Sequence, residues 1–120
     1  MGTKISQLVI DCADPARLAE FWARVLGYTV VSADPGEVEI ADAAGSGPVL
    51  LFVPVPEPKT VKNRLHIDVR PTDSDQQTEL ERLVSLGAQP VDVGQAPEVS
   101  WIVLADPEEN EFCLLRNPAE

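Results

Sequence analysis

The chain repeats itself at half its length. "ISQLVIDC" runs into "DPARLAEFWARVLG", and "RLHIDVR" runs into "DSDQQTELERLVSLG". In each pair a β-rich run predicts a strand, and apolar residues at i, i+3, i+4, i+7 spacing predict the helix that follows. Gln7 lies seven residues before Asp14 and His66 seven before Asp73, so the copies superpose at an offset of 59. Three strand-like runs follow each helix: "YTVVS", "EVEIAD" and "PVLLFVPV", then "QPVDV", "VSWIVLAD" and "EFCLL". Turn-forming pieces separate them, "ADPG" and "AAGSG" in one half, "GQAPE" and "DPEEN" in the other. The pattern is β-α-β-β-β twice, with modules at about residues 3–56 and 63–117. Each module alone has too little core to be stable, so the reading is one α+β domain over residues 1–120.

The helix signals are specific. Asp14 suits an N-cap, Pro15 the first helical position and Gly27 the stop. Leu18, Phe21, Trp22 and Val25 form the buried stripe. In the second helix Asp73 is the expected cap with Gln76 in capping-box position. Leu80, Leu83 and Val84 form its stripe, and Gly87 ends it.

Strand parity separates two faces. Gln7, Val9 and Asp11 share one side of the first strand, and Leu8, Ile10 and Cys12 the other. In the second module His66, Asp68 and Arg70 oppose Leu65, Ile67 and Val69. The apolar sides belong beneath the helices, so the polar sides line a concave cavity. Phe52 and Trp101 are its candidate apolar walls, and "KTVKNR" reads as a solvated linker.

Composition narrows the function. Apolar residues make up 44% of the chain, enough for a packed core. The net charge of −11 excludes a phosphate-backbone partner, which Lys and Arg would have to hold, and permits a cationic ligand. No apolar run approaches the roughly 20 residues of a membrane span, and no signal-peptide pattern opens the sequence. Two distant cysteines suggest no disulfide framework. A cytoplasmic protein is the expectation.

The stretches "VIDCADPARLAEFWARVLGY", "LLFVPVPEPKTVKNRLHIDV" and "VLADPEENEFCLL" resemble the vicinal oxygen chelate superfamily, also called the glyoxalase, bleomycin-resistance and dioxygenase fold. They are most similar to the small glyoxalase-like domains common in actinobacteria. The resemblance implies tandem βαβββ modules forming a curled mixed sheet around a cavity, and a homodimer. It also implies four metal ligands, on the first and last strands of each module. Carried over by position, two of these are Gln7 and His66, and the last strand offers Cys113 where the family has a glutamate. Glu109 replaces the glycine of the family's "DPxGN" turn. Residues 47–56 hold no Asp, Glu, His or Cys, so one ligand is missing. Glu111 shares parity with Cys113 and fits only if the register shifts by two.

The expectation is therefore a degenerate metal site with no cofactor, or Gln7 and His66 as ligands if a divalent metal binds. His66 is the candidate catalytic residue. Gln7, Asp11, Phe52, His66, Asp68, Arg70, Trp101 and Cys113 are the candidate ligand-binding set. The leading function is a small-molecule binding protein or metal-independent enzyme. The alternatives are a metal-dependent lyase, isomerase or dioxygenase, and a drug-sequestering protein of the bleomycin-resistance kind. The expected partners are a small molecule and a second copy of the chain.

Overall fold

The computed structural model describes residues 1–34, 36–92 and 99–116. Part of the "ADPG" turn and the "GQAPE" turn at 94–98 lie outside the described residues. The chain forms two compact units, Met1–Pro58 and Lys59–Glu120.

The first unit contains β1 (Leu8–Cys12), α1 (Pro15–Leu26), β2 (Thr29–Asp34), β3 (Glu37–Ala41) and β4 (Leu50–Pro54). Its sheet has the order β1-β4-β3-β2, with β1 parallel to β4 and the other pairs antiparallel. The second contains β5 (Ile67–Val69), α2 (Gln76–Leu86), β6 (Gln89–Pro90), β7 (Ile102–Ala105) and β8 (Glu111–Leu114). Its order is β5-β8-β7-β6, again with one parallel pair at the edge. The duplicated βαβββ plan is thus present in both units, as α+β modules.

In the first unit the sequence signals hold. The Asp14 carboxylate accepts from the Arg17 backbone N–H, Pro15 opens α1, and Gly27 closes it in the left-handed region. Leu18, Ala19, Phe21, Trp22 and Val25 are buried along the helix. The helix packs on β2, β3 and β4, whose buried residues are Val38, Ile40, Leu50 and Phe52. Phe21 and Trp22 meet edge to face at 5.4 Å.

The second helix departs from expectation at both cap and stripe. Asp75, not Asp73, is the N-cap, and its carboxylate accepts from Thr78 N–H at 2.8 Å. Two acids two residues apart offer alternative caps, and the chain uses the later one. Gln76 is then the first helical residue, and its side-chain amide donates to the Ser100 and Leu114 carbonyls. Leu83 is fully buried and Leu80 half-buried, but Val84 is 44% exposed. The expected strand "QPVDV" shortens to Gln89–Pro90, extended by a hydrogen bond from Val91 N–H to Val103 O. Among the described residues, no helix is long and apolar enough to cross a membrane.

Candidate functional site

The second unit places its working side chains through strand register. Asp68 on β5 lies opposite Cys113 on β8, and Cys113 lies opposite Val103 on β7. Residues paired in register share a face, so Asp68, Cys113 and Val103 point the same way. Leu104, Phe112 and Leu114, on the other face, are buried. His66 stands one residue before β5, and its Nε2 lies 3.2 Å from Asp68 Oδ1. Both side chains are part exposed, 42% and 49%. One ligand atom from each of His66, Asp68 and Cys113 lies within 4.8 Å of the others.

The cysteine is a thiol here. Burial pushes its pKa up, the Asp68 charge and a hydrogen bond with Asp68 push the same way, and Lys62 opposes them. A raised thiol pKa leaves little thiolate at neutral pH, which argues against Cys113 as a nucleophile.

A second set of polar contacts fixes the segment leading to His66. Lys59 Nζ sits 2.8 Å from Glu111 Oε2, and Asn63 N–H donates to Glu111 Oε1 at 3.0 Å. Asn63 Nδ2 donates to Asn110 Oδ1 at 2.8 Å. Asn110 in turn belongs to the turn organised by buried Asp106, whose carboxylate accepts from the Glu108 and Asn110 backbone N–H groups. Burial alone would raise the Glu111 carboxyl, but the bonds from Lys59 and Asn63 outweigh it and hold it below the usual range. The stretch "KTVKNR" is therefore not only a solvated linker. Lys59 is 22% exposed and anchored to the start of β8. Glu111 thus has a structural partner, and sequence reasoning missed it because Lys59 and Asn63 lie 52 and 48 residues away.

The other expected residues fall as follows. Arg70 is exposed just after β5, and Trp101, 41% exposed, stands two residues before Val103. Gln7 and Asp11 are exposed residues of the first unit, before and within β1. Phe52 corrects the expectation. It pairs with Ile10 and Val38, on the face opposite Asp11, and is wholly buried with the residues that pack on α1. It is core and not a cavity wall. The run Leu50–Val53 is apolar on both faces, so parity carried no signal there. On the face opposite Phe52 the central strands carry Leu51 and Val53, with Glu39 paired to Leu51. A separate recess of about 550 Å³ in the first unit is lined by α1, β2 and β3, chiefly by alanines and valines beside the Glu20–Arg24 pair. It contains none of the expected site residues.

Comparison with known proteins supports the fold. The fosfomycin resistance protein FosX of Listeria monocytogenes aligns with TM-score 0.74 at 15% identity, covering 99% of this chain and 93% of that one. That structure, an E126Q mutant, holds Mn(II) and 1S,2S-dihydroxypropylphosphonic acid. FosX of Mesorhizobium loti aligns with TM-score 0.72 at 18% identity, covering 98% and 94%. A glyoxalase/bleomycin resistance/dioxygenase family enzyme from Burkholderia phytofirmans PsJN aligns with TM-score 0.66 at 18% identity, covering 93% and 97%. No curated protein sequence matches. At these identities the likeness is one of fold. The sequence itself matches the family model described as glyoxalase-like domain over residues 7–115. The chain belongs to the glyoxalase-like domain family, within the vicinal oxygen chelate superfamily.

Proposed function

We propose that the protein binds a small molecule on the face of the second unit carrying His66, Asp68 and Cys113. The observation that carries this reading is the 3.2 Å approach of His66 Nε2 to Asp68 Oδ1 beside the buried Cys113 side chain. A carboxylate at one ring nitrogen orients an imidazole and leaves the other nitrogen to exchange a hydrogen bond or proton with a ligand. Asp68 is the orienting group and His66 the catalytic residue if chemistry follows binding. Arg70 and Trp101, from the ends of β5 and β7, supply a cation and an aromatic wall. The proposed setting is a cytoplasmic homodimer, which light scattering on the purified protein would test.

Mn(II), bound in the FosX structure, is the metal this fold brings to mind. Mn(II) favours carboxylate, carbonyl and water oxygens. The second unit offers one carboxylate, one imidazole and one thiol, which is a poor match. No step of this reading passes through Mn(II).

The test is a thermal-shift screen of metabolites and antibiotics, fosfomycin included, followed by titration of His66→Ala. We expect the variant to stay folded and lose roughly tenfold or more in affinity for any hit. Unchanged affinity would overturn the reading. A stability loss above about 4 kcal/mol would instead mark a structural histidine.

The chain's charge of −11 favours a second reading, sequestration of a cationic drug. Expression in a sensitive host should then raise tolerance to a bleomycin-type compound, and no gain would remove that reading.

A further inference from the structure

We propose that the outer face of the first unit, where α1 meets the edge strand β2, is a self-association surface whose occupant is a second copy of this chain, paired about a two-fold axis. The proposal rests on the homodimer reading and adds the surface; it is independent of the His66 face. Three features carry it.

The first is apolar surface at an open edge. β2 is an outer strand of its sheet, and all six of its residues are exposed, Val30 at 56% and Val31 at 58%. The register of β2 on β3 shifts between Val30 and Ser32, so Val31 is the extra residue of a bulge. Val30 and Ala33 pair with Ile40 and Val38, which are buried, and so share the helix side of the sheet. With Ala16, Ala19 and Ala23 they line the recess of about 550 Å³. An exposed Val31 beside an apolar hollow gives each copy both a projection and a recess. A two-fold interface needs both, because one patch must complement itself. The bulge hinders strand-to-strand addition along this edge, so side chains make the contact, not a shared ladder.

The second is charge complementarity. On α1, Ala16, Glu20, Ala23 and the capping Gly27 fall at i, i+4, i+7 and i+11, one stripe of the helix, with Arg24 beside it. Glu20 and Arg24 pair at 3.0 Å, with side chains 64% and 63% exposed. Opposite charges one turn apart on one face are their own complement. An antiparallel second copy lays the partner's Arg24 on Glu20 and the partner's Glu20 on Arg24. The other residues of the stripe are alanine and glycine, so two helices can approach closely.

The third is net charge. A chain of charge −11 repels its own copy, and the repulsion is least where charges balance. Residues 14–34, from the N-cap of α1 to the end of β2, carry three acids and two bases, a net −1 out of −11. This face therefore adds little repulsion of its own, while its Glu20 and Arg24 supply attraction across the axis.

The test is sedimentation velocity on the untagged full chain over a range of concentrations, which gives the dimer dissociation constant. We expect a dimer that Glu20→Arg and Arg24→Glu each weaken roughly tenfold or more, since each sets like charges against one another across the axis. The double exchange, Glu20→Arg with Arg24→Glu, restores the alternation and should return the constant to within about threefold of wild type. Val31→Asp should weaken the dimer as strongly as a single reversal, because it buries a charge on the axis side. Val84→Asp, on α2 of the second unit, should leave the dimer unchanged. Circular dichroism on every variant separates lost association from lost fold. A wild type that stays monomeric up to about 1 mM overturns both this proposal and the homodimer reading. A dimer indifferent to the single reversals and to Val31→Asp, or reversals that the double exchange does not rescue, overturns this surface and leaves the homodimer standing.

Discussion

The two units share strand order and the position of their parallel pair, yet they divide the work unequally. In the first unit α1 buries five side chains, including Phe21 and Trp22, over a sheet whose inward residues are Val38, Ile40, Leu50 and Phe52. In the second, α2 buries only Leu83, and its first strand runs three residues against five in β1. Its buried apolar side chains sit mainly in the sheet, with Val103, Leu104, Phe112 and Leu114, and what it adds is polar: the His66–Asp68–Cys113 group, the Glu111 anchor and the Asp106 turn. A duplicated scaffold can keep a sheet core in both copies, bury a wider helix face in one and carry chemistry in the other, because fold and site answer to different residues.

The strongest way to break this contrast is to cut the cores. Trp22→Ala should cost about 3–5 kcal/mol and Leu83→Ala about 2–5 kcal/mol, since each removes a buried side chain that neighbours cannot replace. Val84→Ala should stay within about 0.5 kcal/mol, because that side chain faces solvent. Urea denaturation of the three variants checks the order. A Val84 effect as large as that of Leu83 would restore the wider stripe expected from sequence and undo the asymmetry.

The next test concerns the polar half. The folded protein holds the Glu111 carboxyl below its ordinary value near 4.5, so folding favours the charged form. The stability this adds is complete above that ordinary value and is lost as pH falls through the lower folded value. Glu111→Gln should cost roughly 1–3 kcal/mol at neutral pH, by loss of hydrogen bonds to a charge. It should also flatten the acid limb of the stability curve. Asp75, lowered by its bond from Thr78 N–H, contributes with the same sign, so some acid dependence remains in the variant. An unchanged acid limb would mean that the anchor between residues 59–63 and β8 contributes nothing.

How much of this was legible follows from where the information sits. Parity along the run leading into β5 puts His66 and Asp68 on one side, a local period-two signal, whereas Cys113 is indicated by the family resemblance, carried over by position from Asp106. The same rule failed at Phe52, where Leu50, Leu51, Phe52 and Val53 are all apolar and no alternation marks the inner face. Asp73 and Asp75 both satisfy a capping rule, and only the helix register decides between them. The closeness of the three donors depends on β5 pairing with β8 across more than forty residues, which no local pattern encodes. The Glu111 anchor is of the same kind. The offset of 59 nonetheless carried the architecture, because a repeat is a global signal written in sequence.

The smallest effect tests whether the repeat extends to its turns. The third and fourth strands of each unit are joined by a loop containing residues at positive φ. In the first unit these are Gly45 at 77° and Gly47 at 80°, and in the second the residue is Glu109 at 70°. A side-chain-bearing residue in the left-handed region costs roughly 1 kcal/mol that glycine does not. Glu109 is held there by its N–H bond to Asp106 O at 2.8 Å, within the turn that the Asp106 carboxylate organises. Glu109→Gly should therefore stabilise the protein by about 0.5 kcal/mol, the relieved strain being partly offset by the greater freedom of glycine in the unfolded chain. Gly45→Ala should do the reverse. Gly47→Ala should be worse, because its Cβ would come 2.7 Å from the Tyr28 hydroxyl, which donates to Pro48 O. Paired denaturation curves resolve differences of this size. If Glu109→Gly is neutral or harmful, the two turns are not equivalent, and the glutamate side chain earns its place through a contact that the glycines of the first unit do not need.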